Sequence, residues 1–227
     1  VTRFDGQVAV VTGATGGVGP AVVETFKELG ATVFATTRGE ASESEGVVYV
    51  QVDLTREDEA LALADRVRAE SGRCDALLCC AGGFGPGKPS MTSLEAWHRQ
   101  LEINATTAFL SVRAFLPLML EAGRGSIVLT SSRSAVEPSP GAVAYAAGKA
   151  AVIALAAAAA AEGRDQGVRV NTILPSVVDT PANRTASPDA DYDRWVAASS
   201  IAAVMAWLCS DAAADVSGAV LPVYGRA

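Results

Sequence analysis

Apolar residues along the chain fall into two alternating patterns. Seven short runs rich in Val, Ile, Leu and Thr lie at 8–12, 32–36, 47–52, 76–80, 126–131, 169–174 and 219–223, and most are almost continuously apolar. Unbroken apolarity, rather than strict alternation, marks a strand whose sheet is covered on both faces. Between the runs lie longer stretches with apolar residues at intervals of three and four, which predict helices at 18–29, 57–71, 94–121, 145–166 and 201–210. The third of these is expected to bend or break near Asn104. Strand–helix alternation of this kind builds right-handed βαβ units, so the predicted fold is α/β, a doubly wound, seven-stranded parallel sheet flanked by helices. No linker or repeat divides residues 1–227, which read as a single domain. One segment, 176–200, shows no sustained period and is long for a connection, which points to a lid or substrate loop.

Composition narrows the class. Half of the residues are hydrophobic and the net charge is only −7, which excludes disorder. An excess of 25 acidic over 18 basic side chains, with no basic cluster, argues against nucleic acid as a partner. The longest uncharged apolar run, 150–161, has 12 residues where a membrane span needs about 20, so no membrane partner is expected. No basic-then-apolar leader precedes Val8, which suggests a cytoplasmic protein. With His98 as the only histidine and four cysteines at 74, 79, 80 and 209, a zinc site is not expected and the thiols read as reduced and structural.

The first strand runs into Thr12-Gly13-Ala14-Thr15-Gly16-Gly17-Val18-Gly19, and a helix follows, with Pro20 in its first turn. Glycines at a strand-to-helix turn let a pyrophosphate sit against bare backbone, facing the amides of the helix N-terminus. On the first strand and opening a helix, such a turn is expected to hold a dinucleotide. Beyond the second strand, a carboxylate bonds the ribose 2′-hydroxyl of NAD, whereas a basic residue accommodates a 2′-phosphate. The strand ends Thr36-Thr37-Arg38, so NADP(H) is expected in preference to NAD(H), with Glu40 and Glu43 nearby as the opposing signal. Asp53, after the third strand, is placed to meet the adenine edge.

Tyr145 and Lys149 are four residues apart on a predicted helix, hence on one face and within mutual reach. A nearby cation favours the phenolate, so Lys149 is expected to lower the tyrosine pKa toward the working range of an acid/base. Ser132 follows the fifth strand, at the carboxyl end of the sheet where ligands bind, and its hydroxyl can polarise a carbonyl.

Together these residues resemble the short-chain dehydrogenase/reductase family over nearly the whole chain. Thr12-Gly13-x-x-x-Gly17-x-Gly19 is similar to its cofactor turn, Asn104 to its helix asparagine, and Ser132, Tyr145 and Lys149 to its catalytic set. The resemblance implies an oxidoreductase moving hydride between NADP(H) and a carbonyl or alcohol. Tyr145 would be the general acid/base, Ser132 would orient the carbonyl, Lys149 would also hold the nicotinamide ribose, and Asn104 would serve a proton relay. It also implies cofactor contacts from Gly13, Thr15, Gly16, Gly17, Val18, Gly19, Arg38, Asp53, Leu54, Ala81, Gly82, Pro175, Val178 and Thr180, and a substrate cleft lined by Phe84, Ser132 and Tyr145.

Three features depart from the family pattern: Cys80-Ala81-Gly82 where relatives usually carry Asn-Ala-Gly, Pro175-Ser176 in place of Pro-Gly, and a short lid. The run 174–195, with Asp179, Asn183, Arg184, Tyr192 and Trp195, also resembles the dihydropteridine reductase branch, which implies a pterin substrate as one alternative. A catalytically silent NADP(H)-binding scaffold or sensor on the same fold is the other. Small apolar cleft residues leave ketones, acyl thioesters, steroids and pterins open as substrates. Trp195 is expected in the lid, Trp207 in the core and His98 in packing or on the surface. Nine alanines between Ala150 and Ala161 give the helix 145–166 a small-residue face that relatives pair across subunits, which implies a homodimer or homotetramer.

Overall fold

The structure is a computed structural model that describes residues 3–39, 45–137 and 140–226; Glu40 and Glu43 lie outside them. Its strands and helices run β1 (Val8–Thr12), α1 (Gly19–Glu28), β2 (Thr32–Thr37), β3 (Val47–Gln51), α2 (Glu57–Ser71), β4 (Ala76–Cys79), α3 (Leu94–Leu101), α4 (Thr107–Ala122), β5 (Gly125–Thr130), α5 (Val143–Gly163), β6 (Val168–Pro175), β7 (Val178–Asp179), α6 (Pro181–Ala186), β8 (Val196–Ala197), α7 (Ala198–Cys209) and β9 (Val220–Val223). Seven of the strands form one sheet, ordered β3-β2-β1-β4-β5-β6-β9 and parallel at every step. The order reverses direction between β1 and β4. At that switch point the strand ends splay apart and open a crevice.

Each face of the sheet carries its own core. One joins Val10, Leu77, Ile127, Leu129 and Val170 to α2, α4 and α5; the other joins Val11, Leu78, Val128 and Ile173 to α1 and α7. Cys79 and Cys80 fall on opposite faces, as alternation requires. All four thiols are free. In α7 the buried positions are Ile201, Ala202, Met205, Ala206 and Leu208, a single helical stripe. Full burial of each large member contributes about 1.5–3 kcal/mol. Trp207 lies off that stripe and is 39% exposed, not a core anchor.

The long helix predicted at 94–121 is interrupted where expected. Residues Glu102–Thr106 form a single π-turn between α3 and α4, in which the Thr107 N–H reaches back five residues to the Glu102 carbonyl. By length and composition alone, Leu94–Ala122 and Val143–Gln166 are apolar enough to cross a membrane, which the 12-residue run did not reveal. Their apolar residues, Leu110, Phe115, Met119 and Val152 among them, pack against the sheet.

Segment 176–200 is also more regular than expected. It holds β7, α6 and β8, with β7 and β8 paired in parallel. Elements of two and six residues are too short to leave a period in the sequence. Side chains hold them instead: Arg184 grips Asp179 with two hydrogen bonds (2.6 and 2.8 Å) and lies 4.7 Å over the Tyr192 ring, which packs on Trp195.

Candidate active site

The glycine turn joins β1 to α1 at the carboxyl edge of the sheet. Gly13 has φ +65°, and a Cβ there would stand 2.7 Å from Ala81 Cα. A Cβ on Gly19 would stand 2.2 Å from the Gly13 carbonyl oxygen, so the chain folds back on itself here only without side chains. Threonine hydroxyls fasten the bend. Gly13 N–H donates to Thr36 Oγ1 (3.1 Å), Ala81 N–H to Thr12 Oγ1 (3.2 Å), and the hydroxyls of Thr15 and Thr37 lie 3.3 Å apart. Helix α1 begins with no side-chain cap and no acidic residue in its first turn, so its leading amides face the crevice as anion donors. This bare cradle fits a dinucleotide pyrophosphate.

Around the cradle stand the other expected cofactor residues. The Thr180 methyl lies 3.0 Å from where a Gly17 Cβ would be, which brings the segment carrying Val178 and Thr180 over the turn. Gly16 closes the bend through its N–H to the Gly13 carbonyl (2.9 Å), and Val18 packs beneath it. Arg38 is exposed just past β2, close enough to Asp53 to pull that carboxyl below its ordinary value, after the larger effect of hydrogen bonds from the Thr55 N–H and hydroxyl. Leu54, expected among the cofactor contacts, has its side chain buried in the core. Pro175 is the buried last residue of β6, and Ala81 and Gly82 follow β4 beside Gly13.

The side chains expected to do chemistry converge between β5 and α5. Ser132 is buried and caps a short 3-10 turn, accepting the Ser134 N–H at 3.2 Å. Lys149 is buried; its ammonium donates to the Thr130 carbonyl at 2.9 Å and lies 6.0 Å from the centre of the Tyr145 ring. Ser131 pins the same helix turn through a 2.6 Å bond to the Lys149 carbonyl. Phe84 meets Tyr145 edge-on, ring centres 5.2 Å apart.

Burial displaces both titratable groups. It brings Lys149 down to about 8, and it pushes the Tyr145 phenol above its ordinary value, against a downward pull from the Ser132 hydroxyl. This corrects the expectation drawn from spacing. Burial outweighs the pull of its neighbours, so the phenol stands above rather than below its ordinary value, while the Lys149 ammonium is held on the Thr130 carbonyl.

Asn104 is fully buried on the π-turn. Its side chain clasps the backbone of Gly83 in both directions, donating to the carbonyl (2.9 Å) and accepting the N–H (3.1 Å), and it also donates to the Gln100 carbonyl (3.0 Å). Two departures from the family pattern find partners. The Cys80 sulfur packs 4.0 Å from the Met205 sulfur, with burial pushing its thiol up to about 12, so it stays neutral. Ser176 donates its hydroxyl to the Tyr224 carbonyl at 2.6 Å, tying the start of segment 176–200 to the segment after β9. His98 is exposed. Sequence reasoning singled out Thr12, Thr15, Thr36 and Thr37 but not their bracing of the turn, and it missed the buried Gln100. The one available signal for Gln100 was its spacing of four from Asn104.

Comparison with known proteins agrees with this geometry. The family profile described as short chain dehydrogenase matches residues 7–191. The chain is 36% identical to the D-threitol dehydrogenase of Mycolicibacterium smegmatis, over 98% of this chain and 93% of that one. It is 34% identical to the cis-4-hydroxycyclohexanecarboxylate dehydrogenase of Sinomonas cyclohexanicum, over 98% and 96%. Among solved structures, a short-chain type dehydrogenase/reductase from Mycobacterium ulcerans superimposes with a TM-score of 0.92 at 30% identity, covering 99% of this chain and 90% of that one. The chain therefore belongs to the short-chain dehydrogenases, oxidoreductases that work with NAD(H) or NADP(H).

Proposed function

We propose that this protein interconverts a small secondary alcohol and its ketone, with NADP(H) as the favoured cofactor and Tyr145 as the general acid/base. The observation that carries the reading is the meeting of Ser132, Tyr145 and Lys149 at the carboxyl end of β5, beside a glycine cradle suited to a pyrophosphate. When bound, the nicotinamide supplies or takes up the hydride. In the reducing direction Tyr145 Oη gives its proton to the carbonyl oxygen, and in the oxidising direction it takes the hydroxyl proton back. Ser132 donates a hydrogen bond to the same oxygen, which stabilises the charge that develops there. Lys149 contributes positive charge beneath the site while held by Thr130. A phenol kept neutral by burial is suited to the acid role, and the downward pull of the Ser132 hydroxyl favours the base role.

The relatives' names point to the substrate class, since a polyol and a ring carrying a secondary hydroxyl share the CH–OH group. A pterin reductase working without a serine fits less well, because Ser132 stands against the phenol. Support for NADP(H) comes from the exposed Arg38 guanidinium and the absence of a carboxylate at Thr36 and Thr37. The alanine face of α5 is exposed at 150, 151, 154, 157, 158 and 161, which supports assembly of a homodimer or homotetramer through this helix, and segment 176–200 serves as the lid. We place this activity in the cytoplasm.

The test is a panel of small polyols, cyclic secondary alcohols and dihydropterins assayed with NADP+ and NAD+ (or the reduced pair for pterins), on wild type and Tyr145→Phe. Alcohol turnover that falls about a thousandfold in the variant is expected. Equal turnover in the variant removes Tyr145 from the mechanism, and turnover confined to pterins replaces the substrate class.

A further inference from the structure

Helix α3 buries one residue among those described, and it is an amide: Gln100, 7% exposed. An amide is a costly group to bury unless its surroundings use it. Here three segments of the site meet on it. Asn104 Nδ2 donates to the Gln100 main-chain carbonyl at 3.0 Å and approaches its side-chain Oε1 at 3.4 Å. The backbone of Gly85 presses so closely that a Cβ there would lie 2.5 Å from Gln100 Nε2. Helix α5 comes in through Gly148, where a Cβ would lie 3.1 Å from the Gln100 carbonyl oxygen. Phe84 is thus bracketed: Gly83 is clasped by Asn104, and Gly85 rests on Gln100. Its ring is 65% exposed and stands edge-on to Tyr145, open to whatever approaches the phenol.

We infer that Gln100 is a positioning residue for substrate binding: its buried side chain fixes Asn104 and the backbone at Gly85, and so sets where Phe84 stands beside Tyr145. The substrate it serves presents an apolar or ring face to Phe84 while its hydroxyl meets Tyr145. This rests on the reading of Tyr145 as the acid/base. Gln100 touches no reacting atom, so its removal acts on KM for the alcohol more than on kcat or on the cofactor.

The experiment is a double-mutant cycle on KM for a cyclic secondary alcohol, using Gln100→Leu, Phe84→Ala and the pair, with cofactor affinity measured by fluorescence titration on the same samples. Gln100→Leu is expected to raise the alcohol KM about tenfold with a smaller change in kcat and unchanged cofactor binding. Once Phe84 is removed, Gln100→Leu adds little further, because the two act through one wall. Wild-type KM in Gln100→Leu, or additive effects in the cycle, overturns the inference. So does a loss of cofactor binding in step with activity, the mark of a residue that only packs. Should the leucine variant fail to fold, Gln100→Asn carries the same cycle. Failure of the functional reading is distinguishable, since it shows as Tyr145→Phe turning over like wild type whatever Gln100 does.

Discussion

The glycine turn and the Ser132–Tyr145–Lys149 cluster share one edge of the sheet but rest on opposite chemistry. Residues 12–19 contain no ionisable side chain; that region works through main chain brought close by missing Cβ atoms and fastened by hydroxyls. The cluster works through side chains whose protonation burial has displaced, Lys149 downward and Tyr145 upward. Damage to the turn is therefore steric and, on the proposed function, expected to be read as lost binding. Damage to the cluster is expected, on the proposed function, to be electrostatic and read as lost rate or altered pH dependence.

The sharpest way to separate the two begins in the turn. Gly19→Ala places a methyl 2.2 Å from the Gly13 carbonyl oxygen, and the backbone has to move. Cofactor affinity, measured by titration, is expected to fall about a hundredfold, as for an ångström-scale misplacement of a binding group, while the pKa of Lys149 stays put. An affinity within a factor of about two of wild type shows that the cradle does not need this approach.

Lys149 gives the next effect, and its sign follows from proton counting. Its pKa is about 8 in the native chain against 10.5 as the ordinary value, so between those values the unfolded chain holds a proton that the native one lacks. Native stability from this group is least below pH 8 and rises as pH climbs through the window. In urea melts, wild type is expected to gain about 2 kcal/mol on Lys149→Met between pH 8 and 10. Parallel pH profiles for the two proteins contradict the buried, displaced lysine.

Arg38 gives the smallest effect and belongs to the turn's side of the comparison. Arg38→Ala is expected to lower the ratio of NADPH to NADH affinity about tenfold, the worth of a charge-assisted contact to phosphate, with the melting temperature unchanged. An unmoved ratio makes Arg38 a bystander.

How far the sequence was legible follows the same division. Unbroken apolar runs predict every strand of the large sheet to within a residue or two, because both of its faces are covered. Backbone demands also show in residue types, so Gly13 and Gly19 announce the turn. The partners of Lys149 and Asn104 do not show, because Thr130, Gly83 and Gln100 serve them largely through carbonyls and one N–H, groups that every residue carries. Trp207 was misread because size alone does not decide burial; position on the helix stripe does. The short elements inside 176–200 did not show, because their order comes from the Asp179–Arg184–Tyr192 cluster rather than from any period.

The central claim, that binding resides in the turn and proton transfer in the cluster, is tested most directly by measuring kcat and cofactor dissociation constant on Tyr145→Phe and Gly19→Ala side by side. The account predicts a crossed result: Tyr145→Phe loses about a thousandfold in kcat with cofactor affinity intact, and Gly19→Ala loses cofactor affinity while keeping most of its kcat at saturation. Both variants losing rate and affinity in the same proportion, or Tyr145→Phe turning over at the wild-type rate, would contradict it.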